Sequence, residues 1–154
     1  MDSYKNSEFL EAGIKETFLQ DSHSLSLKNV LRGMHYQVGE KSQAKIIRCI
    51  KGEVFDCAVD IRRNSPTFGK WAGAVLSEEN KNLLYIPKGF AHGFCVLSDS
   101  AELLYKLSNE YAPEAERGVR WNDQSVGIDW PITSPITVER DSNFPLLKDA
   151  VDLF

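Results

Sequence analysis

The feature that most constrains this chain is a succession of short apolar segments that polar or turn-forming residues interrupt. In Val54–Ile61 every second residue from Phe55 onward is apolar, whereas Asp56 and Asp60 occupy the opposite face, as in a β-strand. The lack of helical crossovers argues against a parallel α/β sheet and favours a sandwich or barrel. Further strands are predicted over Val30–Gln37, Ala44–Ile50, Trp71–Leu76, Asn82–Ile86, Ala91–Val96 and Ala101–Leu107.

The length of 154 residues predicts a single domain over residues 1–154. Residues 1–14 form an N-terminal region with one short helix predicted at Ser7–Ala12, where Ser7 would be the N-cap and Gly13 would follow the end. Residues 108–154 are less regular. We expect this C-terminal segment to pack on one end of the barrel as loops and short helical turns.

Composition excludes several classes of function. The net charge of −4 and the pI of about 5.4 argue against a general nucleic-acid binder, because phosphate backbones require a basic face. The sequence contains neither an apolar run of membrane-spanning length nor a signal peptide, so we expect no membrane partner and a cytoplasmic location. Cys49, Cys57 and Cys95 lie in apolar strand-like runs and are expected to be reduced thiols.

Three polar residues interrupt predicted apolar strand faces. Strict alternation puts His35 on one face of its strand with Gly33 and sends Arg32 to the other, unless Gly33 permits a bulge. Lys45 and Tyr105 also fall on apolar faces, and an unpaired buried ammonium is costly. Singly, each has a structural explanation: a hydrogen-bonded core histidine, a lysine that reaches the rim, and a core tyrosine. Together on inward faces they indicate a site.

The segment Pro87-Lys88-Gly89-Phe90-Ala91-His92 has the form Pro-x-Gly-x-x-His, which is the second of two signature motifs of cupin barrels. Metal-binding cupins also carry a His-x-His pair, but here the corresponding stretch is His35-Tyr36-Gln37. A three-histidine site would need His23, His35 and His92, which are all the histidines of the chain. We therefore predict that no metal is bound.

Longer motifs are similar to those of one family. Residues 30–37, Val-Leu-Arg-Gly-Met-His-Tyr-Gln, resemble the LRGLHYQ signature of dTDP-4-dehydrorhamnose 3,5-epimerases, and further matches extend the resemblance over about residues 8–145. The resemblance implies an all-β fold, namely a double-stranded β-helix (a cupin-like jelly-roll barrel) with a few short helices. It also implies a homodimer that epimerises C3 and/or C5 of a nucleotide-linked 4-keto-6-deoxy sugar. The further matches include 45–49, 52–56, 58–62, 65–69, 85–87, 89–94, 104–106, 116–118 and 127–131.

The same resemblance implies roles for individual residues. His35 resembles the catalytic base, Asp141 the carboxylate that orients it, Tyr105 the general acid on the opposite face of the sugar, and Lys45 the cation that stabilises the enolate. The positions that resemble substrate-binding residues are Arg32, Gln20, His92, Tyr111, Gln37 and Arg48.

Elementary chemistry agrees with these roles. A C4 ketone acidifies the hydrogens on C3 and C5, so inversion requires a base, an acid on the other face and positive charge near the ketone oxygen. Histidine side chains titrate near neutral pH, and a carboxylate behind the imidazole fixes its tautomer. We predict that no cofactor is needed, since no Gly-rich dinucleotide turn is present.

The sequence departs from the family pattern at two places. The chain begins almost at the short helix, where family members carry a preceding Arg-Gly-x-Phe-x-Glu strand, and Ser22 stands where asparagine is common. We expect the acid–base chemistry to be kept and the nucleotide to be held differently or replaced by another. Three alternatives stay open: an epimerase of a single carbon or of another nucleotide sugar such as a heptose, a non-catalytic sugar-nucleotide-binding barrel, and a metal-dependent cupin.

Overall fold

The computed structural model describes residues 2–154. Within them, nine strands and two short helices are joined by turns and three 3-10 turns at Gly39–Lys41, Pro113–Ala115 and Leu147–Asp149. The helices are α1 (Asn6–Glu11) and α2 (Glu139–Ser142). The strands are β1 (Gln20–Leu27), β2 (Leu31–Gln37), β3 (Lys45–Lys51), β4 (Glu53–Asp60), β5 (Trp71–Ser77), β6 (Leu83–Ile86), β7 (Phe90–Val96), β8 (Ser100–Leu107) and β9 (Glu116–Gly118).

The strands form two antiparallel sheets that face each other. One has four strands in the order β1-β8-β3-β6, and the other has five in the order β5-β4-β7-β2-β9. Strands distant in sequence pair, as β1 does with β8 and β2 with β7, so the chain winds as a double-stranded β-helix. The predicted all-β, cupin-like barrel is thereby confirmed.

Both faces of the five-stranded sheet are buried, each in its own apolar cluster. Val54, Phe94 and Val96 pack between the sheets against residues such as Ile47 and Leu103 of the other sheet. On the opposite side, Met34, Tyr36, Cys57, Val59, Ile61 and Ala91 pack against the C-terminal segment through Val119, Leu147 and Ala150. This C-terminal segment packs on the outer side of the five-stranded sheet and carries Asp141 back to β2.

The strand predictions agree with the structure within about two residues, but two strands were missed. β1 has the polar sequence QDSHSLSL, in which Leu25 and Leu27 are exposed and Ser26 is buried, so the usual apolar-inside pattern is reversed. The three-residue β9 is too short to give a periodic signal.

The predicted cap of the short helix is also wrong. α1 begins at Asn6 with Lys5 in the N-cap position, and the backbone carbonyl of Lys5, not the Ser7 hydroxyl, accepts the first N–H groups. Gly13 follows the helix with φ of +86°, as its position predicted. Cys49, Cys57 and Cys95 are free and buried. No helix among residues 2–154 is long and apolar enough to cross a membrane.

Candidate active site

A cavity of about 580 Å³ lies between the two sheets. His35 on β2 and His92 on β7 line it from the five-stranded sheet, while Lys45 on β3 and Tyr105 on β8 line it from the four-stranded sheet. Arg32, Phe94 and Asp141 also line this cavity. The structure therefore brings together six of the ten predicted site residues: Arg32, His35, Lys45, His92, Tyr105 and Asp141.

His35 and Asp141 form a hydrogen-bonded pair, although 106 positions separate them in the chain. His35 Nε2 lies 2.9 Å from Oδ1 of Asp141, whose other oxygen accepts the backbone N–H of Gly33 at 3.0 Å. Because a carboxylate only accepts, we assign the hydrogen to Nε2, which leaves the lone pair of the neutral ring on Nδ1. Burial by itself would raise the pKa of Asp141, but the hydrogen bonds from His35 and Gly33 outweigh it and hold this pKa below its usual value.

Arg140 also contacts this pair, and sequence reasoning missed it. Its Nε donates to Oδ1 of Asp141 at 3.2 Å, and its guanidinium reaches within 3.3 Å of His35 Nε2. The same guanidinium pairs with Glu116, which also accepts from the Tyr111 hydroxyl at 3.0 Å. No motif in the sequence pointed to Arg140, because its contact with His35 spans 105 positions.

Arg32 and His35 line the same cavity, whereas strict alternation places them on opposite faces of the strand. The pairing of β2 with β7 shifts register between Arg32 and His35, so the bulge considered at Gly33 is present. Gly33 has φ of +136°, and a Cβ there would lie 2.5 Å from the Cα of Gly93. Only glycine fits this close approach, and the bulge brings the guanidinium and the imidazole to one cavity.

Lys45 places an ammonium in the cavity wall. Burial lowers the pKa of Lys45 to about 8, and the nearby carboxylates of Asp56 and Glu116 oppose this lowering. At neutral pH the side chain is thus still largely protonated, but it loses its proton at a lower pH than a solvated lysine does. A cation in such surroundings interacts more strongly with developing negative charge than one in water does.

His92 is paired with a buried carboxylate that the sequence analysis did not select. Its Nε2 lies 3.0 Å and 3.1 Å from the two oxygens of Asp56, and both side chains are nearly inaccessible. Burial lowers the pKa of His92 despite the favourable charge of Asp56. Asp56 was recognised only as the polar half of an alternating strand. Both faces of β4 are buried, so the face that carries Asp56 points into the barrel and not towards solvent.

Tyr105 is held by a hydroxyl of β1. Its Oη lies 3.1 Å from Oγ of Ser24, and its ring meets that of His92 edge-on with centroids 6.5 Å apart. Burial raises the pKa of Tyr105 to about 12, although the hydrogen bond with Ser24 and the charge of Arg32 oppose the rise. The phenol is therefore protonated throughout the ordinary pH range.

A second arm of the cavity, of about 280 Å³, extends towards the N-terminal end of β1. Tyr111 and Gln37 line this arm with Ser22 and Ser24, and it shares Arg32, His35, Lys45 and Tyr105 with the main cavity. Gln20 does not line either space but supports the arm, since its carbonyl accepts the Tyr111 N–H and its amide donates to Ser22.

The structure changes the interpretation of two residues predicted to bind substrate, Arg48 and Gln37. Arg48 lies on the outer face of the four-stranded sheet, because it is out of phase with the inward Lys45, and it lines a separate hollow of about 150 Å³. It is therefore not a residue of this cavity. Gln37 is buried and bonded through its carboxamide to backbone groups of Lys41, Glu110 and Ala112, so its main contacts are with the protein.

The histidines do not converge. His23 is exposed on β1 and contacts Glu102, away from His35 and His92. Across residues 2–154, no three His, Cys, Asp or Glu side chains gather as metal ligands would.

Cupin-like barrels with an acid–base site between their sheets are the class of protein that this fold and cavity define. A model of the dTDP-4-dehydrorhamnose 3,5-epimerase family matches residues 1–149. The chain belongs to this family.

Individual relatives agree with that assignment. The dTDP-4-dehydrorhamnose 3,5-epimerase of Escherichia coli K12 is 57% identical over 154 residues, which cover 99% of this chain and 83% of that protein. The enzyme of the same name from Shigella flexneri is 54% identical over 151 residues, covering 97% and 83%. A crystal structure of the Legionella pneumophila dTDP-6-deoxy-D-glucose-3,5-epimerase in complex with dTDP-4-keto-L-rhamnose superposes with a TM-score of 0.92 at 46% identity, covering 96% of this chain and 79% of that one.

Proposed function

We propose that this protein inverts C3 and C5 of a dTDP-linked 4-keto-6-deoxyhexose by removing a proton from one face of the sugar and returning one to the other. The observation that carries the proposal is the position of His35 and Tyr105 on opposite sheets that line one cavity. A ring bound between them presents one face to the imidazole and the other to the phenol.

His35 is the base in this reaction. The Nε2–H bond to Asp141 leaves Nδ1 free to take the proton from carbon, and the carboxylate stabilises the imidazolium that forms. Asp141 is itself fixed by Gly33 and Arg140, so the imidazole is held before the substrate arrives. Negative charge then moves to the C4 oxygen, where the Lys45 ammonium stabilises it.

Tyr105 is the acid that completes inversion. Its phenol carries a proton at working pH and donates it to the enolate carbon from the face opposite His35. The electron pair of the enolate forms the new C–H bond, and the ketone is restored at C4. Since the ketone acidifies both neighbouring carbons, the same pair of residues serves C3 and C5, and no redox cofactor or metal is required.

The nucleoside diphosphate is assigned to the second arm. Arg32 lines both spaces and supplies a guanidinium for phosphate oxygens, while Tyr111 offers an aromatic ring at the outer end. Ser22 and Gln20 support that end through their mutual hydrogen bond.

Solvent deuterium tests the proposal directly. The protein is incubated with dTDP-4-keto-L-rhamnose in D₂O, and NMR follows deuterium at C3 and C5 together with the appearance of inverted sugars. Incorporation at both carbons with inversion is the expected result. Incorporation at one carbon identifies a single-position epimerase, and no incorporation contradicts proton transfer at carbon and favours a binding protein.

We further propose a homodimer formed through the outer face of the four-stranded sheet. Leu83, Arg48 and Leu104 lie in register across β6, β3 and β8, and both leucines are more than a third exposed. Leu25 on the adjacent β1 is 58% exposed. The Nε of Arg48 is buried without a hydrogen-bond partner among the described residues. A second copy of the chain would cover this apolar face and offer a partner to that nitrogen.

We also propose that the protein resides in the cytoplasm. Its three cysteines are buried free thiols, which is usual for a reducing compartment.

A further inference from the structure

A row of three serines lies on β1, the strand next to the one that carries Tyr105. Ser22, Ser24 and Ser26 share the inward face of β1, since alternation turns the leucines of this strand outward. The three hydroxyls have different surroundings. Ser22 accepts from the Gln20 amide at 2.9 Å, and Ser26 is buried without a hydrogen-bond partner in the described chain. Ser24 is the member of the row that contacts Tyr105, at 3.1 Å.

An epimerase with one base and one acid must reset both groups after each inversion. His35 has gained a proton and Tyr105 has lost one, so the imidazolium must release a proton to water and the phenolate must regain one. The phenol is largely enclosed, with the ring of His92 beside it and the sugar in front of it. A route for the returning proton is therefore required.

We propose that Ser24 is a positioning residue that returns a proton to Tyr105, an inference that rests on the proposed epimerase function. The hydroxyl of Ser24 passes its own proton to the phenolate oxygen and takes one from a water molecule held beside the nucleoside diphosphate in the second arm of the cavity. The hydroxide left behind is neutralised by the proton that the His35 imidazolium releases. The cycle therefore closes with no net change in the protons bound by the enzyme.

The shape of the cavity agrees with this route. Ser24 and Tyr105 both line the second arm, whereas Ser24 does not line the main cavity where the sugar ring is proposed to bind. Ser24 thus connects the acid to the side away from the sugar. The hydroxyl has both a donor and acceptor sites, so it bonds to the protonated phenol and to the phenolate in turn.

Four proteins test the inference: wild type, Ser24→Ala, Ser24→Thr and the matched control Ser26→Ala. Each is mixed with dTDP-4-keto-L-rhamnose in D₂O, and deuterium entry and inversion are followed separately, in the first turnover and in steady state. In Ser24→Ala we expect deuterium entry through His35 and the first inversion to continue near the wild-type rate. Steady-state inversion should fall by about tenfold. Ser24→Thr should restore it, and Ser26→Ala, which removes an unbonded hydroxyl, should match wild type.

The outcomes separate the inference from the proposed function. Wild-type steady-state inversion in Ser24→Ala overturns the role of Ser24 and leaves the epimerase function intact. An equal loss of deuterium entry and first-turnover inversion also overturns it, because Ser24 then only shapes the site. If wild type itself neither exchanges nor inverts, both the function and the role of Ser24 fail.

Discussion

The imidazole of His35 meets the carboxylate of Asp141 at 2.9 Å, and Asp141 is in turn fixed by a backbone N–H of the strand that carries His35. The tail residue and the barrel strand therefore constrain each other. His35→Ala should abolish deuterium entry at both C3 and C5, because no other base among residues 2–154 lies in the same place. Asp141→Asn should slow entry by about 10²-fold to 10⁴-fold, since an amide does not enforce the same tautomer. Asp149→Asn, which alters an exposed carboxylate of the same tail, is the control.

Tyr105→Phe should separate the two halves of the reaction. The base and the cation remain, so deuterium still enters the sugar from solvent, but return of the proton from the opposite face is lost. We expect inversion to fall by about 10²-fold or more while exchange with retention continues, as measured by NMR in D₂O. Tyr85→Phe removes a hydroxyl on the outer face of the same sheet and should change neither rate. Full inversion by Tyr105→Phe would exclude Tyr105 as the acid.

The lowered pKa of Lys45, about 8, predicts the alkaline limit of activity. Below this value the side chain is an ammonium that stabilises the enolate, and above it the charge is lost, so turnover should decline as the pH rises through about 8. Lys45→Arg keeps its charge to much higher pH. Its activity should be lower at neutral pH because the guanidinium is larger, but its decline should move to higher pH. An unchanged alkaline limb in this variant would assign the limit to another group.

The bulge at Gly33 should be intolerant of any side chain. In Gly33→Ala the new Cβ would meet the Cα of Gly93 at 2.5 Å, and φ of +136° is strained for alanine. We expect a loss of about 3 kcal/mol or more in the free energy of unfolding, measured in urea. Gly13→Ala, also at positive φ but with open space around it, should cost only about 1–2 kcal/mol. Similar losses in both variants would show that close packing at Gly33 is unimportant.

The proposed dimer predicts a change of mass on disruption of the outer face. Leu104→Asp should convert the protein to a monomer in sedimentation velocity experiments, because it places a carboxylate on the apolar outer face that the second copy would cover. Val75→Asp introduces the same charge at an exposed position of the five-stranded sheet and should leave the dimer intact. A wild-type monomer at micromolar concentration would contradict the proposal.

The sequence predicted most of the barrel because its strands follow the alternation of buried and exposed side chains. It failed at β1, where the inward residues are serines that line the cavity and not an apolar core. Such a strand carries its polar residues for the ligand, so a rule based on hydrophobic burial does not find it. The same principle explains Asp56, which is polar and fully enclosed because its partner is His92.

At the site, residues predicted from one short motif line the same cavity where that motif also sets the conformation of the backbone, as Gly33 does between Arg32 and His35. Alternation alone separated Arg32 from His35, and only the bulge at Gly33 reunites them. Arg48 failed for the opposite reason: β3 is regular there, and alternation turns the side chain outward. Arg140 and Ser24 could not be selected because their importance lies in contacts with residues about 80 to 105 positions away.

The dependence of β2 on the tail has a consequence for synthesis of the protein. The barrel strands are complete by residue 118, but the carboxylate that orients the imidazole emerges from the ribosome only with residue 141. A chain that stops before residue 141 therefore lacks the carboxylate that holds the imidazole of His35. In the proposed reaction, efficient formation of the sugar enolate therefore depends on the docking of Asp141 against β2.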